Sequence, residues 1–122
     1  MNVKDTPWSD PLWETDSFFV FKDGFPVTKG HLLFVPKHDT PLSISSCLYA
    51  AYNHGEQMIG MGECEGFNVG MNVGESAGQT VMYPHIHLIP RRTGDMQDPR
   101  GGVRHVIPAK GNYKIDSAHE RC

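Results

Sequence analysis

His85 and His87 alternate with Ile86 and Leu88 directly after a turn of small residues, Gly74-Glu75-Ser76-Ala77-Gly78-Gln79-Thr80. Alternation is the period of a strand, in which side chains two apart share a face. Val81 to Ile89 is therefore predicted to be a strand carrying both imidazoles on one side and large apolar groups on the other. An apolar face must be covered by another layer, which commits the chain to a sheet packed on something else. Two imidazoles side by side also mark a candidate site, because histidine gains or loses charge near neutral pH and serves as nucleophile, acid, base or metal ligand.

The rest of the chain supplies that sheet. Leu12-Trp13-Glu14-Thr15 and Phe18 to Lys22 read as a hairpin turning at Asp16-Ser17, and His31 to Val35 as a third strand stopped by Pro36. Thr40-Pro41 suits the cap and first position of a helix, whose stripe runs Ile44, Cys47, Leu48, Ala51, Gly55, Met58 and Ile59. Phe67 to Asn72 alternates as a fourth strand, and the fifth follows the glycine-rich turn. Pro84 removes a backbone donor from that fifth strand, which suggests an edge or a bulge. The expectation is one α+β domain over 1–122, with its core at about 12–91 and an extended or loop-like tail at 92–122.

Composition narrows the class. The 122 residues carry a formal charge of −3, with no basic excess for a nucleic-acid backbone. No apolar run approaches the roughly 20 residues that cross a bilayer, and Met1 to Pro7 lacks a signal-peptide core, so the cytoplasm is the expected location. Cys47, Cys64 and Cys122 have no metal-knuckle spacing and read as idle thiols.

The small-residue turn allows consecutive N–H groups to converge on an anion, with the Thr80 hydroxyl as a further donor. It is not a P-loop, because Gln79 stands where a lysine would be needed and a strand follows. Taken alone, such a turn is more often a plain hairpin connection, and the two histidines that follow it are what make it telling. Three readings of the histidines stay open at this point: zinc ligands with His31 as a third, structural histidines, or covalent catalysis at phosphorus.

Gly78-Gln79-Thr80-Val81, then Tyr83-x-His85-x-His87 and Ile89-Pro90-Arg91, resembles the signature of the histidine triad (HIT) superfamily. Asp23, Pro26 and Gly30-His31-Leu32-Leu33-Phe34-Val35-Pro36-Lys37-His38 resemble its upstream block, and Asn72-Val73-Gly74-Glu75 the residues before the signature. The resemblance implies a five-stranded antiparallel sheet with one main helix packed on it, assembled as a homodimer. It implies that His85 is the nucleophile, with Tyr83 in place of the first triad histidine and offering its backbone carbonyl. His87, Asn72, Gly78, Gln79 and Thr80 would hold phosphate oxygens, His31 would complete the histidine cluster, and Asp23 and Phe21 would meet ribose and base. No metal is required, although Mg²⁺ suits a polyphosphate. The tail, Asp98-Pro99-Arg100-Gly101-Gly102 with Val106-Ile107-Pro108, resembles that of bacterial-type dinucleoside polyphosphate hydrolases. The implied activity is hydrolysis at the α-phosphate of a nucleoside or dinucleoside polyphosphate such as diadenosine tetraphosphate. The alternatives are a nucleoside phosphoramidase and a nucleotide-binding protein with little turnover.

Overall fold

Thr40 starts the main helix by accepting a hydrogen bond on its side chain from the Ser43 N–H at 3.2 Å, with Pro41 in the first turn, where its missing N–H costs nothing. In the computed structural model, which describes residues 1–113, this helix α1 spans Pro41–Gly60. The strands are β1 (Trp13–Glu14), β2 (Phe18–Lys22), β3 (Leu32–Pro36), β4 (Gly66–Gly70) and β5 (Ile86–Arg91). They form one antiparallel sheet in the order β1-β2-β3-β5-β4. The α+β architecture is as the sequence implies.

Alternation sorts the sheet into two faces. Val20, Leu32, Phe34, Ile86 and Leu88 join Cys47, Ala51 and Met58 of α1 in the larger core. Phe21, Leu33, Val35 and Tyr83 form a second cluster on which Val3, Trp8, Phe19 and Val81 pack. Gly55 lets α1 approach β4, since a Cβ there would lie 2.6 Å from the Phe67 ring.

Two expectations need correction. The fifth strand begins at Ile86, not Val81, and Tyr83, Pro84 and His85 precede it as irregular chain. Its neighbours are β3 and β4, so Pro84 sits ahead of an interior strand and not on an edge; without an N–H it cannot extend the ladder.

The chain divides into two compact units, Met1–Arg91 and a second beginning at Arg92. Within the second, 3₁₀ turns at Gly102–Val106 and Pro108–Lys110 replace extended chain over the described part. Arg104 ties them together by donating to the carbonyls of Lys110 and Gly111 at 3.0 and 3.3 Å. Cys47 and Cys64 are buried free thiols, and burial pushes Cys47 up to about 12. Cys122 lies outside the described residues.

Candidate active site

A cavity of about 430 Å³ opens on the sheet face opposite α1, lined by Pro7, Trp8, Asp23, Gly24, Phe25, Leu33, Asn72, Gly78, Thr80, Val81, His85 and His87. The chain places His85 there through its own backbone. Its Nδ1 stands 2.8 Å from the Tyr83 carbonyl, which only accepts, so Nδ1 carries a proton and the tautomer with its lone pair on Nε2 is the one favoured. Among the described residues no group bonds Nε2, and the imidazole is 8% exposed. Tyr83 contributes only that carbonyl. Its own ring is buried in the second core cluster, where its hydroxyl donates to Pro36 O at 2.6 Å and burial raises its pKa.

A chain of hydrogen bonds orients His87. The Val27 N–H donates to His31 Nδ1 at 3.1 Å, which leaves the His31 proton on Nε2. That proton is shared between His87 Nδ1 at 2.9 Å and Asp23 Oδ2 at 3.2 Å. His87 Nδ1 is thereby an acceptor, and its own proton sits on Nε2 as a donor. Burial, then the imidazoles of His85 and His31, hold His87 down at about 4 against a weaker pull from Asp23, so it is neutral at pH 7. Burial lowers His31 as well, with Asp23 opposing. His31 is buried and does not line the cavity; it reaches it through His87.

Asp23 accepts the Phe25 N–H on Oδ1 at 2.7 Å, and Thr28 fastens the same loop to β5 through a 2.7 Å bond to Pro90 O. Asp23, His31 and His87 offer ligand atoms that all lie within 4.8 Å of one another, the kind of cluster a divalent ion takes. The bonding order opposes it. His31 has one nitrogen occupied by Val27 and the other protonated, so a metal on Nε2 would require that proton to leave and the Val27 bond to break.

The turn departs from its expected role. Gly74, Gly78 and the 3₁₀ turn Glu75–Ala77 close on themselves: the N–H groups of Ala77 and Gln79 donate to Gly74 O, and that of Gly78 to Glu75 O. Gln79 braces the loop, its Oε1 accepting Gly74 N–H at 2.8 Å and its Nε2 donating to Val81 O at 3.1 Å, and it does not line the cavity. A short 3₁₀ turn satisfies its own amides, leaving few for a ligand. Gly78 lines the cavity, but its amide is used; Asn72 and Thr80 line it with side chains that bond no described residue. Phe21 is core, 6% exposed, and outside the cavity.

The aromatic walls are Trp8 and Phe25, which pattern reading passed over. Phe25 is 92% exposed, and the Trp8 ring lies 4.7 Å from that of His85. The available signal was position, since each is a large aromatic in a Pro-containing segment that belongs to no strand.

Such a sheet, with paired histidines beside a small-residue turn, defines a HIT-domain protein: the HIT domain model matches residues 8–94, and the chain belongs to that family. It is 30% identical over 91 residues to an adenylylsulfatase of Arabidopsis thaliana, covering 69% of this chain and 46% of that protein. It is 30% identical over 97 residues to the asymmetrical bis(5′-nucleosyl)-tetraphosphatase of Schizosaccharomyces pombe, covering 74% and 53%. The chain thus spans about half the length of these two relatives. Among solved structures, a Zn-bound histidine triad family protein from Mycobacterium smegmatis superposes with a TM-score of 0.64 at 28% identity, covering 88% of this chain and 86% of that one.

Proposed function

We propose that this chain is a nucleotide hydrolase in which His85 attacks the α-phosphorus of a nucleoside or dinucleoside polyphosphate, diadenosine tetraphosphate being the type, and water cleaves the nucleotidyl-histidine. The carrying observation is the Nδ1 bond from His85 to Tyr83 O, which commits the Nε2 lone pair to a cavity that also holds Asn72, Thr80 and His87. In this reading Tyr83 replaces the first triad histidine, and a backbone carbonyl suffices there. The three polar side chains bind the nonbridging oxygens, a single well-aimed donor being worth about 3 kcal/mol. Asp23 retains acceptor capacity for ribose hydroxyls, and Trp8 and Phe25 take over the base contacts expected of Phe21.

One observation favours a second reading, a nucleoside phosphoramidase or adenylylsulfatase-like activity on a single phosphorus. Among the described residues no Lys or Arg lines the cavity, and His87 is neutral, so these residues offer a polyphosphate little positive charge there. Mg²⁺ would offset that charge for a polyphosphate, and turnover of diadenosine tetraphosphate is expected to rise with it while that of adenosine 5′-phosphoramidate stays level.

For assembly we propose a homodimer, because β4 is an edge strand and Tyr52, 53% exposed, stands beside Phe67 of that strand. Light scattering should give twice the 13.6 kDa chain mass. The activity itself is tested by incubating the purified chain with both substrates and following AMP. Release that His85→Ala reduces at least a thousandfold supports the proposal. Tight binding without release would make it a nucleotide-binding protein.

A further inference from the structure

We propose that Trp8 stabilises the positive charge that His85 acquires when it is nucleotidylated, an inference that rests on the covalent reading above. In the forward step the Nε2 lone pair forms an N–P bond, and the P–O bond to the leaving phosphate breaks with its electron pair. The proton remains on Nδ1, so the ring becomes a cation. Water then forms a P–O bond, the N–P electrons return to Nε2, and the water proton passes to solvent.

The surroundings of that ring show why a π face matters. Its ring neighbours among the described residues are Trp8 at 4.7 Å and His87 at 5.3 Å, and the planes of Trp8 and His85 are tilted by 58°. Among the described residues, the other ionisable groups lining the same cavity are His87 on β5 and Asp23 in the β2–β3 loop. Asp23 is already engaged by His31 Nε2 and the Phe25 N–H, and His87 is held neutral. A cation over the face of an indole within about 6 Å of its centroid is attracted to it, and the 4.7 Å separation puts the His85 ring within that reach.

The N-terminal segment is built to hold the indole there. Asn2 and Asp5 cap the 3₁₀ turn Val3–Asp5 reciprocally, and the Thr6 hydroxyl donates to Val3 O at 2.7 Å. Trp8 then packs against the second core cluster, with its ring 6.2 Å from that of Phe21.

The test is the single-turnover rate of adduct formation on His85, read by alkaline quench and mass spectrometry with diadenosine tetraphosphate and with adenosine 5′-phosphoramidate. Trp8→Leu should slow it about 2- to 30-fold, with Trp8→Phe between. Fluorinated tryptophan separates charge stabilisation from packing, because it keeps the ring's shape while draining its face of electron density. In a Trp13→Phe background, 5-fluoro- and then 5,7-difluorotryptophan at position 8 should slow the step progressively, and this series also serves if Trp8→Leu fails to fold. Unchanged rates across the fluorinated series overturn the role of Trp8 alone. A wild-type chain that forms no adduct with either substrate overturns the covalent reading and this inference together.

Discussion

Tyr83 separates two roles that one residue can carry, a backbone acceptor for the His85 imidazole and a side chain for the core. Tyr83→Phe keeps the carbonyl but leaves the buried Pro36 oxygen without its 2.6 Å donor. The variant should lose about 1–3 kcal/mol in chemical denaturation while keeping hydrolysis within about threefold. Loss of activity on the scale of His85→Ala would contradict a purely backbone role. The tautomer of His87 is testable with the same resolution. Nitrogen-15 spectra should show its proton on Nε2 in the native chain and a mixture of tautomers in His31→Leu, whose side chain cannot donate to Nδ1.

At the scale of elements, the small-residue turn works as a braced loop and not as a ring of free amides. Gln79→Ala removes both ends of the brace between Gly74 and Val81, so KM should rise about tenfold with a smaller change in kcat, measured by steady-state kinetics. Where α1 meets β4, Gly55→Ala gains helix propensity but drives a methyl into Phe67; a net loss of about 1–2 kcal/mol is expected on thermal unfolding. Much of this level is legible in the sequence. Thr40-Pro41 locates the start of α1, and short apolar runs bounded by turn residues and Pro36 locate β2 and β3, because caps and chain breakers are local physics. β5 starts at Ile86 and not at Val81, because the apolar run Val81-Met82-Tyr83 resembles strand sequence while Pro84 has no N–H to give the ladder. The candidate site divides in the same way. His85, His87, Asn72 and Thr80 are visible from their motif, whereas the internal bonding of Gln79 depends on contacts that spacing does not encode. Trp8 reaches His85 from far along the chain, and nothing local announces that.

For the molecule as a whole, the depressed His87 links stability to pH. The unfolded chain binds a proton on this group below about 6.5, and the folded chain only below about 4. Between these values the unfolded state holds more protons, so stability falls as the pH drops through this window, by about 2–3 kcal/mol at most from His87, and His31 adds in the same direction. His87→Asn should flatten that slope in denaturant titrations from pH 7 to pH 4. The hydrolytic scheme itself depends on one bond, between His85 Nε2 and phosphorus, and it can be caught directly. The chain is mixed with excess diadenosine tetraphosphate, quenched in alkali within the first turnover, and digested for tandem mass spectrometry. An adenylyl group on His85 alone is the expected result. An adduct on His87, or AMP release with His85 unmodified at every time point, would contradict nucleophilic attack by His85.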